Sequence, residues 1–98
     1  MAVTVTLDLF LKPEATEEFV GMLAEMLPDT RAFQGCQGVA VVRNQDDPNQ
    51  ITLIERWDSR ADQERYIAWR TETGAMNGAA EASAAPIKMT YFDELQQY

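Results

Sequence analysis

The order of elements predicts an α+β domain of the ferredoxin-like, split βαβ kind: strand, helix, strand, strand, helix, strand. Three observations carry this. Val3, Val5, Leu7 and Leu9 alternate at period two, as do Ile51, Leu53, Glu55 and Trp57, so each set shares one face of a strand. Phe19, Met22, Leu23, Met26 and Leu27 form a helical stripe. Asn44-Gln45-Asp46-Asp47-Pro48-Asn49 is turn chemistry that folds two neighbouring strands into a hairpin. The expected architecture is a four-stranded antiparallel sheet with both helices on one face, in a single domain spanning residues 1–98.

Each element has its own signals. Ala2 to Leu11 reads as the first strand, with one fully apolar face and one mixed face of Thr4, Thr6, Asp8 and Phe10. Lys12-Pro13-Glu14-Ala15 ends it, and Thr16 is the expected cap of a helix whose first turn holds Glu17 and Glu18. Pro28 removes a helical hydrogen bond to Ala24, which predicts a kink or a fresh turn there. Phe33-Gln34-Gly35-Cys36-Gln37-Gly38 is the loop to the second strand, with Gly35 expected at positive φ. Cys36 has no basic sequence neighbour to favour a thiolate and reads as a small buried hydrophobe.

Val39 to Arg43 forms the second strand, apolar on both faces, and pairs with Gln50 to Trp57. Ser59 is the expected N-cap of the second helix, with Asp62 three residues on, close to a capping box. Tyr66, Trp69 and Arg70 meet on one side of that helix at three- and four-residue spacing. Met76 to Ala84 is expected to be a short, weakly anchored helical or irregular segment. After Pro86, Ile87, Met89 and Tyr91 alternate with Lys88, Thr90 and Phe92 along a last strand reaching about Glu94.

Composition excludes several function classes. Sixteen acidic against 8 basic residues give a net charge of −8, so nucleic acid and anionic membrane surfaces would repel the chain. No apolar run approaches the roughly 20 residues of a membrane helix, and no leader pattern is visible, leaving the cytoplasm as the expected location. One cysteine and no histidine argue against a disulfide framework, a transition-metal centre or haem, so no metal and no cofactor are expected. Helices cover only one face, yet the first, second and last strands carry apolar residues on both. A homodimer through the exposed sheet face follows, on the order of 800 Å2 per partner, with Val41 as an expected inward position.

The segments Phe33-Gln34-Gly35-Cys36 and Arg43-Asn44-Gln45-Asp46-Asp47-Pro48-Asn49, with the strand end Glu55-Arg56-Trp57-Asp58-Ser59, resemble the antibiotic biosynthesis monooxygenase-type family. The last matches that family's E-x-W-x-S pattern, and the likeness runs from about Thr4 to Phe92. The resemblance implies a dimeric α+β barrel that oxygenates a small phenol, anthrone or quinol without metal or flavin. Once ionised, such a substrate gives an electron directly to dioxygen, and the protein desolvates it, helps remove a proton and stabilises the anion. Trp57 stands where the family has its site tryptophan. Members acting on aromatic polyketides can carry asparagine where Leu53 stands, and many relatives have histidine where Tyr66 sits. The haem-degrading branch needs a histidine further along, where Met76 or Asn77 stands.

The candidate site is therefore the corner between the third strand and second helix. Glu55, Tyr66 and Arg70 are the candidate catalytic groups, and Leu53, Trp57 and Trp69 the candidate substrate-binding ones. Tyr66 would hydrogen-bond a phenolate oxygen, and Arg70 would offset its charge. Each has a plainer role open to it: Trp57 as a core anchor, Glu55 paired to Arg70 or Arg65, and Trp69 and Arg70 at a dimer edge. Two other functions stay open, a non-oxidative member that binds or isomerises a small apolar molecule, and a dimerisation domain with no substrate. A dry, filled space between Trp57 and Tyr66 would favour the last.

Overall fold

The alternation in the first ten residues becomes a central strand. In the computed structural model, which describes residues 2–98, β1 (Val3–Phe10) buries Val3, Val5, Leu7 and Leu9 and leaves the intervening residues half-buried. It pairs antiparallel with β3 (Gln50–Trp57) on one side and β4 (Lys88–Asp93) on the other, and β2 (Cys36–Arg43) flanks β3. The sheet order is β2-β3-β1-β4, the one expected of a split βαβ fold. Helices α1 (Thr16–Ala32), α2 (Arg60–Glu72) and α3 (Ala75–Ala82) complete it. The core lies between them and the face carrying Val5, Leu7, Leu9, Ile51, Leu53 and Trp57.

The start of α1 differs from the sequence expectation. Ala15, not Thr16, is the cap residue, and no side chain caps the helix. Thr16 is instead its first residue, 2% exposed, with Oγ1 donating to Asn49 Oδ1 at 2.8 Å. The threonine thus ties the helix to the β2–β3 turn. That turn closes with Gln50 N–H donating to the Asp47 carbonyl at 3.1 Å, across Pro48. Pro28 does not divide the helix: α1 continues from Thr16 to Ala32 with the proline inside it.

The second correction concerns β2. It begins at Cys36 rather than Val39, and a register shift sets Cys36 opposite Trp57 but Gly38 opposite Arg56. This bulge reverses the parity of every later residue. Val41 consequently lies opposite Leu53 on the helix-bearing face, and its exposure reflects its place on an edge strand rather than the outer surface. The most exposed large apolar residues of the outer face are Val42, Ile54 and Phe92, 40–49% exposed, set among Thr4, Thr6, Thr52 and Thr90.

The β3–α2 corner forms as read. Ser59 Oγ accepts from Asp62 N–H at 3.2 Å, and the Ser59 hydroxyl donates to Asp62 Oδ2 at 2.9 Å. Gly35 has φ +92°, and a Cβ there would lie 2.5 Å from Asp62 Cγ, so the glycine lets the α1–β2 loop touch the start of α2. Gln63, fully buried, anchors α2 to β4 by accepting from the Tyr91 hydroxyl at 2.6 Å. The segment expected over Met76–Ala84 is helical as α3, and Gly74 opens it in the left-handed conformation. Ile87 precedes β4 rather than starting it. Among the described residues, no helix is long and apolar enough to cross a membrane.

Candidate functional site

The period-two face of β3 sets the first geometry. Glu55 and Trp57 project toward the helices two residues apart, and the Trp57 indole reaches back so that Nε1 donates to Glu55 Oε1 at 2.9 Å. Both are fully buried. Burial pushes the Glu55 carboxyl above its usual range, and the indole N–H offsets this in part. The expected pairing of Glu55 with Arg65 or Arg70 is absent. Arg65 bonds Asp62 within α2, and Arg70 turns to α1 instead.

On α2, Tyr66 and Arg70 stack one turn apart. Arg70 Nε donates to the Tyr66 hydroxyl at 2.8 Å, and Nη2 donates to the Met26 carbonyl at 2.8 Å and to Thr30 Oγ1 at 3.1 Å. Thr30 Oγ1 and the Tyr66 hydroxyl are hydrogen-bonded to each other at 2.5 Å. The guanidinium carbon also lies 4.6 Å from the centre of the Trp69 ring. The end of α1 and the middle of α2 are thus joined by a closed polar network centred on a buried cation.

Beside that network the rings fill the corner. Trp57 and Tyr66 are 5.2 Å apart, and Phe33 packs edge-on to both while stacking on Trp69 at 5.5 Å. The space between Trp57 and Tyr66 is occupied by the rings themselves. A cavity of about 50 Å3 opens on the other side of Tyr66. Leu7, Leu9 and Leu53 of the sheet line it, facing Met22, Met26 and Met76 of the helices. Its polar lining comes from Glu55, Tyr66 and Arg70. Of the six candidate residues, these three and Leu53 meet at the cavity, whereas Trp57 and Trp69 stand behind it as packing.

Two participants escaped the sequence reading, Thr30 and Phe33. Thr30 is fully buried. It extends the Met22–Met26 row by four residues, so a polar group on an apolar stripe was the signal that marked it. Phe33 follows at the next helical step and caps α1. Among the described residues, no three acidic, histidine or cysteine side chains gather into a possible metal-binding set.

The family model described as antibiotic biosynthesis monooxygenase matches residues 2–73. The curated proteins yield no significant match. Among solved structures, a conserved protein from Methanosarcina mazei superposes with TM-score 0.88 at 18% identity, covering 97% of this chain and 94% of that one. A Mycobacterium tuberculosis protein gives 0.82 at 23% identity, with 99% and 98% covered. A crystal structure titled antibiotic biosynthesis monooxygenase gives 0.85 at 22% identity, with 96% and 99% covered.

Proposed function

The chain belongs to the antibiotic biosynthesis monooxygenase family, and on that premise we propose that it oxidises a small electron-rich phenol or quinol with dioxygen, using neither metal nor flavin. One observation carries the reading: an acid with a raised pKa and a cation outside the ion pairs of the described residues line the same apolar cavity. A phenolic O–H entering there would pass its proton to Glu55 Oε2, since Oε1 is held by Trp57. The resulting phenolate would be stabilised by Arg70 in a site that excludes water. The electron-rich anion then gives one electron to dioxygen, and the radical pair combines at a ring carbon that bears hydrogen. Glu55 returns its proton to the peroxide, and loss of that ring hydrogen with the outer oxygen as water leaves a carbonyl. One oxygen atom enters the ring and the other leaves as water, with all electrons drawn from the substrate.

Tyr66 takes a different part from the one its position suggested. Its hydroxyl is engaged by Thr30 and Arg70, so its contribution is to hold the guanidinium toward the cavity. The proposal includes a homodimer through the outer sheet face, supported by the exposed Val42, Ile54 and Phe92. The filled corner between Trp57 and Tyr66 favours a second reading, a dimerisation domain with no substrate. Oxygen uptake with a panel of single-ring phenols and quinols separates the two. The unmodified protein should consume oxygen, and Arg70→Gln should lower turnover about a hundredfold, the usual worth of one such stabilising contact. No uptake with any member of the panel would remove the oxygenase reading.

A further inference from the structure

Arg70 is 7% exposed, and a guanidinium does not give up its proton inside a protein. Its three hydrogen bonds all go to neutral oxygens, those of Tyr66, Thr30 and Met26. None of the four ion pairs among the described residues includes it. Nη1 has no hydrogen-bond partner among those residues, and the side chain lines the cavity. A cation drawn out of water without a carboxylate is stabilised by any anion that can reach it. Glu55 lines the same cavity, with Oε1 occupied by the Trp57 indole and Oε2 unpartnered among the described residues. Everything else that lines the space, apart from the Tyr66 hydroxyl, is hydrocarbon or thioether.

We propose that the ligand of this cavity is an organic monoanion with a compact apolar body, its charged oxygen seated on Arg70 Nη1 and Glu55, carrying a proton, donating to it from Oε2. A ligand that enters as the neutral acid supplies that proton itself, and one that enters as the anion brings a proton from water. A neutral ligand leaves the guanidinium unpaired, and a dianion brings a second charge with no partner. As it stands the cavity takes a body smaller than one ring, and a single ring enters only as the methionine wall repacks. The cavity, about 50 Å3, is smaller than the roughly 150 Å3 that admits benzene. Its methionine wall is unbranched and yields, whereas Leu7, Leu9 and Leu53 are fixed in the sheet. This inference rests on the placement of Glu55 and Arg70 used in the oxygenase reading, but not on dioxygen chemistry.

Benzoate and its neutral isostere benzamide test it by calorimetric titration of the full chain. Benzoate should bind at least about tenfold more tightly than benzamide, the worth of a charge-assisted contact. Glu55→Gln should hold benzoate within about threefold of the unmodified protein, because the amide replaces the protonated acid as a donor. Arg70→Gln should bring benzoate down to the affinity of benzamide. Equal binding of the two ligands, no binding of benzoate at millimolar concentration, or unchanged benzoate affinity in Arg70→Gln would each overturn the proposal. If Arg70→Gln does not fold, the benzoate-to-benzamide ratio in the unmodified protein decides. Benzoate binding without oxygen uptake on any phenol keeps the anion site and removes the oxygenase. Phenol oxidation without benzoate binding does the reverse.

Discussion

Removing one oxygen atom from Tyr66 tests whether the polar network between α1 and α2 holds the site together. In Tyr66→Phe the ring stays among Phe33, Trp57 and Trp69, and only the hydroxyl is lost. That hydroxyl accepts from Arg70 Nε at 2.8 Å and lies 2.5 Å from Thr30 Oγ1. Its loss leaves a charged N–H facing an aromatic edge. A hydrogen bond to a charged group contributes about 1.5–3 kcal/mol, and an unsatisfied buried donor costs a similar amount. Thr30 keeps its bond from Arg70 Nη2, which limits the total to about 2–3 kcal/mol. Against the roughly 5–15 kcal/mol of a typical domain, the variant stays folded, with its Tm lowered by about 10–20 °C. Thr30→Val, which keeps shape and removes the other hydroxyl, should cost about 2 kcal/mol. Both hydroxyls serve one cation, so the double variant should fall short of the summed losses by about 1–2 kcal/mol. Urea unfolding followed by tryptophan fluorescence, at one protein concentration because dimers gain stability from mass action, gives all four corners of the cycle. A Tyr66→Phe loss below about 0.5 kcal/mol, or strictly additive variants, would refute the network as drawn.

Two further outcomes follow from the structure. Burial raises the Glu55 carboxyl above its ordinary value of 4.5, so its contribution to stability is fully present below that pH and is lost as pH rises through the higher folded value. Glu55→Gln should therefore gain stability relative to the unmodified protein as pH rises above 4.5, and a difference that is flat with pH in denaturant unfolding would contradict the burial effect. Ile54 faces away from the helices and is 40% exposed, so Ile54→Asp should convert a dimer to folded monomers by light scattering, whereas a charge at Val41 acts on the helix side. A dimeric mass that survives Ile54→Asp would place the interface elsewhere.

Much of the site could be read before the fold, because it rests on local periodicity. Period two on β3 put Leu53, Glu55 and Trp57 on one face, and helical spacing put Tyr66 and Arg70 on another, whatever lay between them. Ser59 and Asp62 marked the corner by capping chemistry that involves only four residues. The six expected elements and their order needed nothing more, whereas the segment that became α3 stayed open between helix and irregular chain.

What the sequence could not determine was which partner each polar group would choose. Glu55 looked paired to Arg70 or Arg65 because a half-buried carboxylate on the sheet needs a partner of opposite charge. Their separate partners, Trp57 for one and Thr30, Met26 and Tyr66 for the other, come from segments up to 44 residues apart in sequence. Thr30 joined the site only because α1 runs unbroken past Pro28 and delivers its last turn to α2. The face of Val41 was likewise hidden, since one extra residue in a bulge inverts a strand's parity without changing its composition. Alternation and caps are local and survive in the one-dimensional text. Partner choice and register are settled by distances across the packed core, which only the tertiary structure supplies.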